Sequence, residues 1–529
     1  MRFLFNGRIR TLNSNTPFAS AVAIQDGKIV AVGNDVEIQS IAKSTSGGEN
    51  LDGRTVWPGL ADAHIHLQYF AESLDFINCE TPSLHETIRR VADRASVTPA
   101  GKWIRGHGWN QNLWPGGFGH AFDLDVVAAD QPVYLTAKSW HAAWVNSYAL
   151  KMAGINSETP DPHGGIIQRD AAGQPTGILL ESAMALVERC IPAATAEEIG
   201  QKILKAQSIL WQYGLIGVHD FDGAPCFDAL QLLQGRELLK LRVLKGIPLA
   251  ELQNAIGLGL RSGFGNDFLR IGSVKCFSDG ALGPRTAAML DPYEGESAYA
   301  GELLMTEDEI VEVGRQAVEH GLSLAIHAIG DRANRTVLNA YTRIRAHEKQ
   351  AGLAPLRHRI EHVQVLHLQD LNRLAALGII ASVQPIHATS DMKMADRHWG
   401  KRSAGAYAFR TLATNGTAMA FGSDAPVESP NPFLGLYAAV TRRRTDGEPG
   451  LNGWYPDQRL TLAEAVSRFT TGPAFAACQE KHLGRISPGY FADLIVLDRD
   501  PFLLPLEEIH TVKPLATMIG GEWVWDKRG

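Results

Sequence analysis

The chain has 529 residues, 45% of them hydrophobic, with 50 Lys and Arg against 57 Asp and Glu. That length exceeds what one hydrophobic core supports and implies a barrel-sized domain with smaller companions, while the apolar share excludes intrinsic disorder. A net charge of -7 gives no general attraction to nucleic acid or anionic membrane.

From the N-terminus, MRFLFNGRIRTLNS lacks the apolar run and small-residue cleavage site of a signal peptide. No window reaches membrane-spanning length, so a cytoplasmic protein is expected. Five scattered cysteines (Cys79, Cys190, Cys226, Cys276, Cys478) show no CxxC spacing and fit reduced thiols. The first 55 residues alternate as short strands around an Asp-Gly turn, and GRISPGYFADLIVLDRD and LATMIGGEWVWD repeat that texture at the C-terminus. Neither piece makes a core alone, so residues 1–55 and 482–529 are expected to form one composite β-domain.

Between them, over 56–481, continuous apolar strands alternate with helical patterns. The strands are VWPGLADAHIH, LIGVHD, LRVLKGI, IGSVKCF, LSLAIHAIG, RHRIEHVQV, IIASVQP and TAMAFGSD. Helical stretches such as EDEIVEVGRQAVEHG and LQDLNRLAALG end on Gly, where a C-cap is wanted. Eight such units predict an α/β fold of the TIM-type (β/α)8 class. The first two strands are too far apart for a plain connection, so residues 68–192 read as an insertion forming a lid or substrate wall. The basic run at Arg442, Arg443 and Arg444 reads as a solvated surface or a local salt-bridge cluster.

The strand ends carry metal-ligand chemistry. His64 and His66, two apart in a strand, share a face. His327, His362 and Asp424 end three other strands, and a barrel gathers its strand ends into one ring. Imidazole donors suit zinc, iron, cobalt or nickel. Lys275, inside a strand, needs either a carboxylate partner such as Asp279 or Asp424, or conversion of its amine by CO₂ to a carbamate.

The stretches GLADAHIH, AWVNSYAL, HGGIIQRD, VKCFSDGALGPRTA, HAIGDRAN, RIEHVQ and FGSDAPV resemble the amidohydrolase superfamily, specifically its YtcJ-like branch, which includes N-substituted formamide deformylase. The resemblance implies a distorted (β/α)8 barrel with a composite β-sandwich from both termini. It implies His64, His66, His327, His362 and Asp424 as metal ligands and Lys275 as the bridging N6-carboxylysine. One or two zinc ions are expected, with iron, cobalt, nickel and manganese compatible. Catalytic roles then fall to Asp424, which takes the proton of the attacking water, and to Lys275, His327 and His362.

The expected activity is hydrolysis of a non-peptide carbon–nitrogen bond in a small-molecule amide or N-substituted formamide. Rivals are cyclic amide opening, deamination, ester or lactone hydrolysis, and a non-catalytic assembly or binding protein of the same fold. Candidate substrate contacts are Asp279 and Arg285 after the fourth strand, His141 in the insertion, and an aromatic wall of Trp109, Trp114 and Trp399. Glu361 alternates with His362 and so is expected to face away from the lumen. No residue pattern specifies a homodimer, which stays open.

Overall fold

The apolar runs become eight parallel strands in the computed structural model, which describes residues 1–41, 48–111, 114–138, 140, 142–162 and 164–528. Two compact units partition the chain: Met1–Phe70 with Ile199–Gly529, and Ala71–Glu198.

In the first unit the barrel strands are β1 (Leu60–Ile65), β2 (Leu215–Asp220), β3 (Arg242–Pro248), β4 (Leu269–Phe277), β5 (Leu324–Ala328), β6 (Arg359–His362), β7 (Ile380–Val383) and β8 (Met419–Phe421), neighbours in that order. Past β8 the ring is drawn together by Asp424 N donating to His64 O (2.7 Å) and His66 N donating to Ala425 O (2.9 Å). The result is a distorted (β/α)8 barrel. Local signals time the connections. Thr306 and Glu309 form a capping box that starts the helix Glu307–Glu319, and Gly321 at φ +74 turns the chain back toward β5.

The termini supply a β-sandwich. Thr55–Pro58 pairs antiparallel with Leu494–Leu497, so the two ends of the chain meet within one six-stranded sheet. Leu4, Val22 and Ile24 of the four-stranded sheet pack with Ile9, Val56, Val496 and Met518 of the six-stranded one. Arg242 of β3 makes a buried two-pronged pair with Asp493 at 2.7 and 2.9 Å, joining barrel to sandwich. The basic run, read as a solvated surface or a local salt-bridge cluster, divides: Arg443 and Arg444 make salt bridges, but Arg442 does not lie at the surface. Arg442 is fully buried and donates to the Trp454 and Tyr407 carbonyls, whereas Arg444 pairs with Asp446 at 2.8 Å. Among the described residues no helix is long and apolar enough to cross a membrane.

The second unit holds a six-stranded sheet, from Gly165–Arg169 at one edge to Ile77–Asn78 at the other. Its core includes Trp109 and Trp114, which stack at 6.1 Å. Their indole N–H groups donate to the Leu135 and Thr81 carbonyls. Both rings are core side chains of their own unit and leave no face for a ligand, which corrects the reading of an aromatic substrate wall.

Candidate metal centre

His64, near the end of β1, and His66, one residue beyond it, project together with rings 5.7 Å apart. Asp424 follows β8 with a left-handed backbone, φ +62. Its Oδ1 lies 3.4 Å from His64 Nε2 and 3.5 Å from His66 Nε2. His362 of β6 stands 4.9 Å from the His64 ring and 4.6 Å from that of His327 on β5. Lys275 enters from β4, its Nζ over the rings of Phe221 (4.7 Å) and Phe277 (4.9 Å). Burial pushes its ammonium down to about 8, against the raising influence of Glu361 and Asp424.

Each ring faces an oxygen acceptor through one nitrogen. His64 Nδ1 faces Glu361 Oε2 (2.6 Å), His66 Nδ1 faces Asp222 Oδ1 (2.9 Å), and His362 Nδ1 faces Gln384 Oε1 (2.9 Å). His327 turns the other way, with Nε2 on the Gly280 carbonyl at 2.9 Å. An oxygen acceptor requires the hydrogen on the nitrogen it faces, so each ring keeps a lone pair on its other nitrogen. His64 Nε2 is buried with no hydrogen-bond partner. Burial, then the Lys275 charge, holds His64 well below the usual histidine range and His327 at about 3. Burial, then His327 and His64, does the same for His362. Neutral imidazoles are the form a metal binds. In His66 burial opposes protonation, but Asp222 and Asp424 outweigh it and raise the ring. The bare His64 Nε2 beside the Asp424 carboxylate is an acceptor facing an acceptor, an arrangement a divalent cation would satisfy. His64, His362 and Asp424 offer ligand atoms within 4.8 Å of one another. The donor set fits a metal.

Comparison with known proteins agrees. Residues 48–525 match the model of the amidohydrolase family. The chain belongs to the amidohydrolase family. Over 98% of its length it is 31% identical to the YtcJ protein of Bacillus subtilis (strain 168), covering 98% of that protein. It is 28% identical to the N-substituted formamide deformylase of Arthrobacter pascens, over 99% of this chain and 98% of that one. An uncharacterized metal-dependent hydrolase from Pyrococcus horikoshii superimposes with a TM-score of 0.82 at 28% identity, covering 96% of this chain and 99% of the other.

Other residues singled out in the sequence of this amidohydrolase lie elsewhere. Asp279 is buried and saturated by backbone N–H groups of Ala288, Ile329 and Gly330 at 2.8–3.0 Å. It pins the loops after β4 and β5, and its Oδ1 lies 3.5 Å from His327 Nε2. Burial raises it to about 7 despite those donors. Arg285 commits its guanidinium to Glu296 at 2.7 Å, both side chains well exposed. Trp399 is wholly buried. His141 lies outside the described residues.

Glu361 corrects the alternation argument. Arg359 and Glu361 share one face of β6, and both point into the lumen, where Arg359 grips Glu361 and donates to the Ala63 carbonyl at 2.6 Å. His362 would face outward in a regular strand; φ values of +72 at His362 and +47 at Val363 swing it back to the centre. The charged pair spaced two apart in RIEH was the signal for a buried lumenal ion pair. Asp222, Gln384 and His387 were also missed. Asp222 belongs to a group with Asp220 and Cys226 that Lys245 compensates, its Nζ 2.9 Å from Asp220.

Strand closeness at the seam is enforced by Gly422. A Cβ there would fall 2.5 Å from His64 N and 2.8 Å from Asp62 Oδ1. Gly422→Ala is therefore expected to cost about 1–3 kcal/mol of stability through overpacking and to weaken divalent-metal binding by displacing His64. Denaturant unfolding and a competitive zinc titration measure the two effects; an unchanged zinc affinity would refute the second.

Proposed function

We propose that this chain hydrolyses a linear carbon–nitrogen bond of the N-substituted formamide or small-amide type at a zinc-class metal centre. The reading is carried by His64 and His66 Nε2 at 3.4 and 3.5 Å from Asp424 Oδ1, with His362 offering a ligand atom within 4.8 Å of those of His64 and Asp424, and it is supported by 28% identity, along nearly the full chain, to a formamide deformylase. His64, His66, His327, His362 and Asp424 would hold the ion, joined by Lys275 once carboxylated. Bound there, a divalent cation acidifies water toward neutrality and polarises a carbonyl oxygen.

The chain's own residues do the rest. Asp424 Oδ accepts the proton of water as the new carbon–oxygen bond forms, and returns it to the departing nitrogen as the carbon–nitrogen bond breaks, giving a carboxylic acid and an amine. Glu361, Asp222, Gln384 and the Gly280 carbonyl hold each imidazole in one tautomer and orientation. Lys275 Nζ, already lowered toward neutrality by burial, supplies free amine to bond the carbon of CO₂ with loss of one proton, which exchanges a buried cation for an oxygen donor.

The test is a panel of N-benzylformamide, N-acetylbenzylamine, a cyclic amide, an aminated ring and a lactone, offered to zinc-loaded enzyme. Release of benzylamine and formate is expected, abolished by chelation and restored by zinc. Full metal occupancy with turnover of ring substrates alone, or of nothing, would refute the reading.

A further inference from the structure

His387 stands in the centre without the polarity of the other rings. It lies in the short helix Pro385–Ser390 directly after β7, 6% exposed. Its ring is nearly parallel to that of His362, 6.1 Å away with planes 12° apart. Its Nε2 is buried, has no hydrogen-bond partner among the described residues, and lies 3.9 Å from Asp424 Oδ2.

The four rings already described each face an acceptor oxygen on their outer side and so turn a lone pair inward. On the outer side of His387, Nδ1 meets the side-chain amide nitrogen of Gln364 at 3.5 Å. A ring nitrogen that accepts there leaves the hydrogen on Nε2, and a nearby carboxylate favours the same placement. A nitrogen bearing hydrogen cannot coordinate a cation. What the ring offers is a buried donor without a hydrogen-bond acceptor among the described residues, aimed beside the group that handles the proton. A buried donor of that kind is costly unless a ligand completes it.

Resting on the hydrolytic reading above, we infer that His387 is a catalytic residue and not a metal ligand: its Nε2–H binds the substrate carbonyl oxygen and strengthens its hold as that oxygen becomes an oxyanion. A donor placed where negative charge develops stabilises the transition state more than the ground state. Its loss therefore appears in kcat more than in KM.

The experiment uses zinc-loaded full-length protein, wild type and the variants His387→Phe and His387→Gln, the second of which restores a side-chain N–H. Three readouts are taken: zinc per chain by mass spectrometry, kcat and KM for N-benzylformamide, and the tautomer of His387 by long-range nitrogen–proton NMR on ¹⁵N-histidine protein, assigned by the signal lost in His387→Gln. Zinc content is expected to match wild type in both variants. His387→Phe should lower kcat by about 10²–10³-fold with KM little changed, His387→Gln should regain at least about tenfold of that loss, and the wild-type ring should carry its hydrogen on Nε2. Lost zinc in His387→Phe, an unchanged kcat, no rescue by Gln, or a hydrogen on Nδ1 would each overturn the inference. If wild type does not turn over N-benzylformamide, the functional reading fails separately, and formate is then the probe: a shift of the His387 Nε2–H resonance supports the donor role and the absence of a shift overturns it.

Discussion

Asp424→Asn is expected to lower kcat by about 10³–10⁴-fold, near the upper end for loss of a general base. The carboxylate lies within 4 Å of His64, His66 and His387. Its position does not depend on its charge. The backbone at φ +62 is held by Asp424 N on the His64 carbonyl, and Asp424 O accepts from Val427 N at 2.9 Å. Asparagine tolerates that conformation, so the fold should survive. The amide cannot take a proton from water, and its NH₂ group has no negative charge to offer a cation. Measured zinc stoichiometry separates the two losses: a variant that keeps zinc and loses turnover has lost the proton acceptor. A variant with full zinc and wild-type kcat would remove Asp424 from the mechanism.

Glu361→Ala is expected to lower unfolding free energy by about 3–5 kcal/mol, the usual range for stranding one member of a buried ion pair. It should also weaken zinc binding by about 10–100-fold, as for loss of a carboxylate that orients a ligand histidine. Glu361 is fully buried and serves the Arg359 guanidinium and the His64 Nδ1–H at once, with Ser382 as a further partner. Arg359, itself 1% exposed, also donates to Ser382 and to His219 Nδ1 (2.9 Å). Without Glu361 its charge is stranded in the lumen. The paired replacement Arg359→Met with Glu361→Met removes both charges and should recover most of the stability, yet zinc affinity should stay low, because His64 still lacks its anchor. Stability is read from urea unfolding and affinity from competition with a chelator. Recovery of both together would mean that Glu361 acts on the fold alone.

Much of the barrel was legible in the chain because burial on both faces of a parallel strand leaves continuous apolar runs, and glycine marks where helices must stop. LIGVHD, buried along its whole length, and the turn at Gly321 follow directly from those constraints. The HxH pair was legible for the same kind of reason, since strand periodicity alone makes His64 and His66 neighbours. The face of β6 was not legible. Regular alternation sends His362 outward, and only the packed barrel stabilises the positive φ that returns it. Trp109 and Trp114 read as a ligand wall in the sequence, and their burial depended on a sheet that residues distant in sequence complete.

The amino-acid sequence by itself determined the eight strands, the joining of both termini in one sandwich, and the identity of the residues with ligand chemistry. Those follow from local periodicity, turn stereochemistry and side-chain type. Only the tertiary structure decided which nitrogen of each imidazole faces the centre. That choice belongs to partners remote along the chain, such as Glu361 for His64, 297 positions away, and a hydrogen bond's polarity exists only once both of its ends are in place.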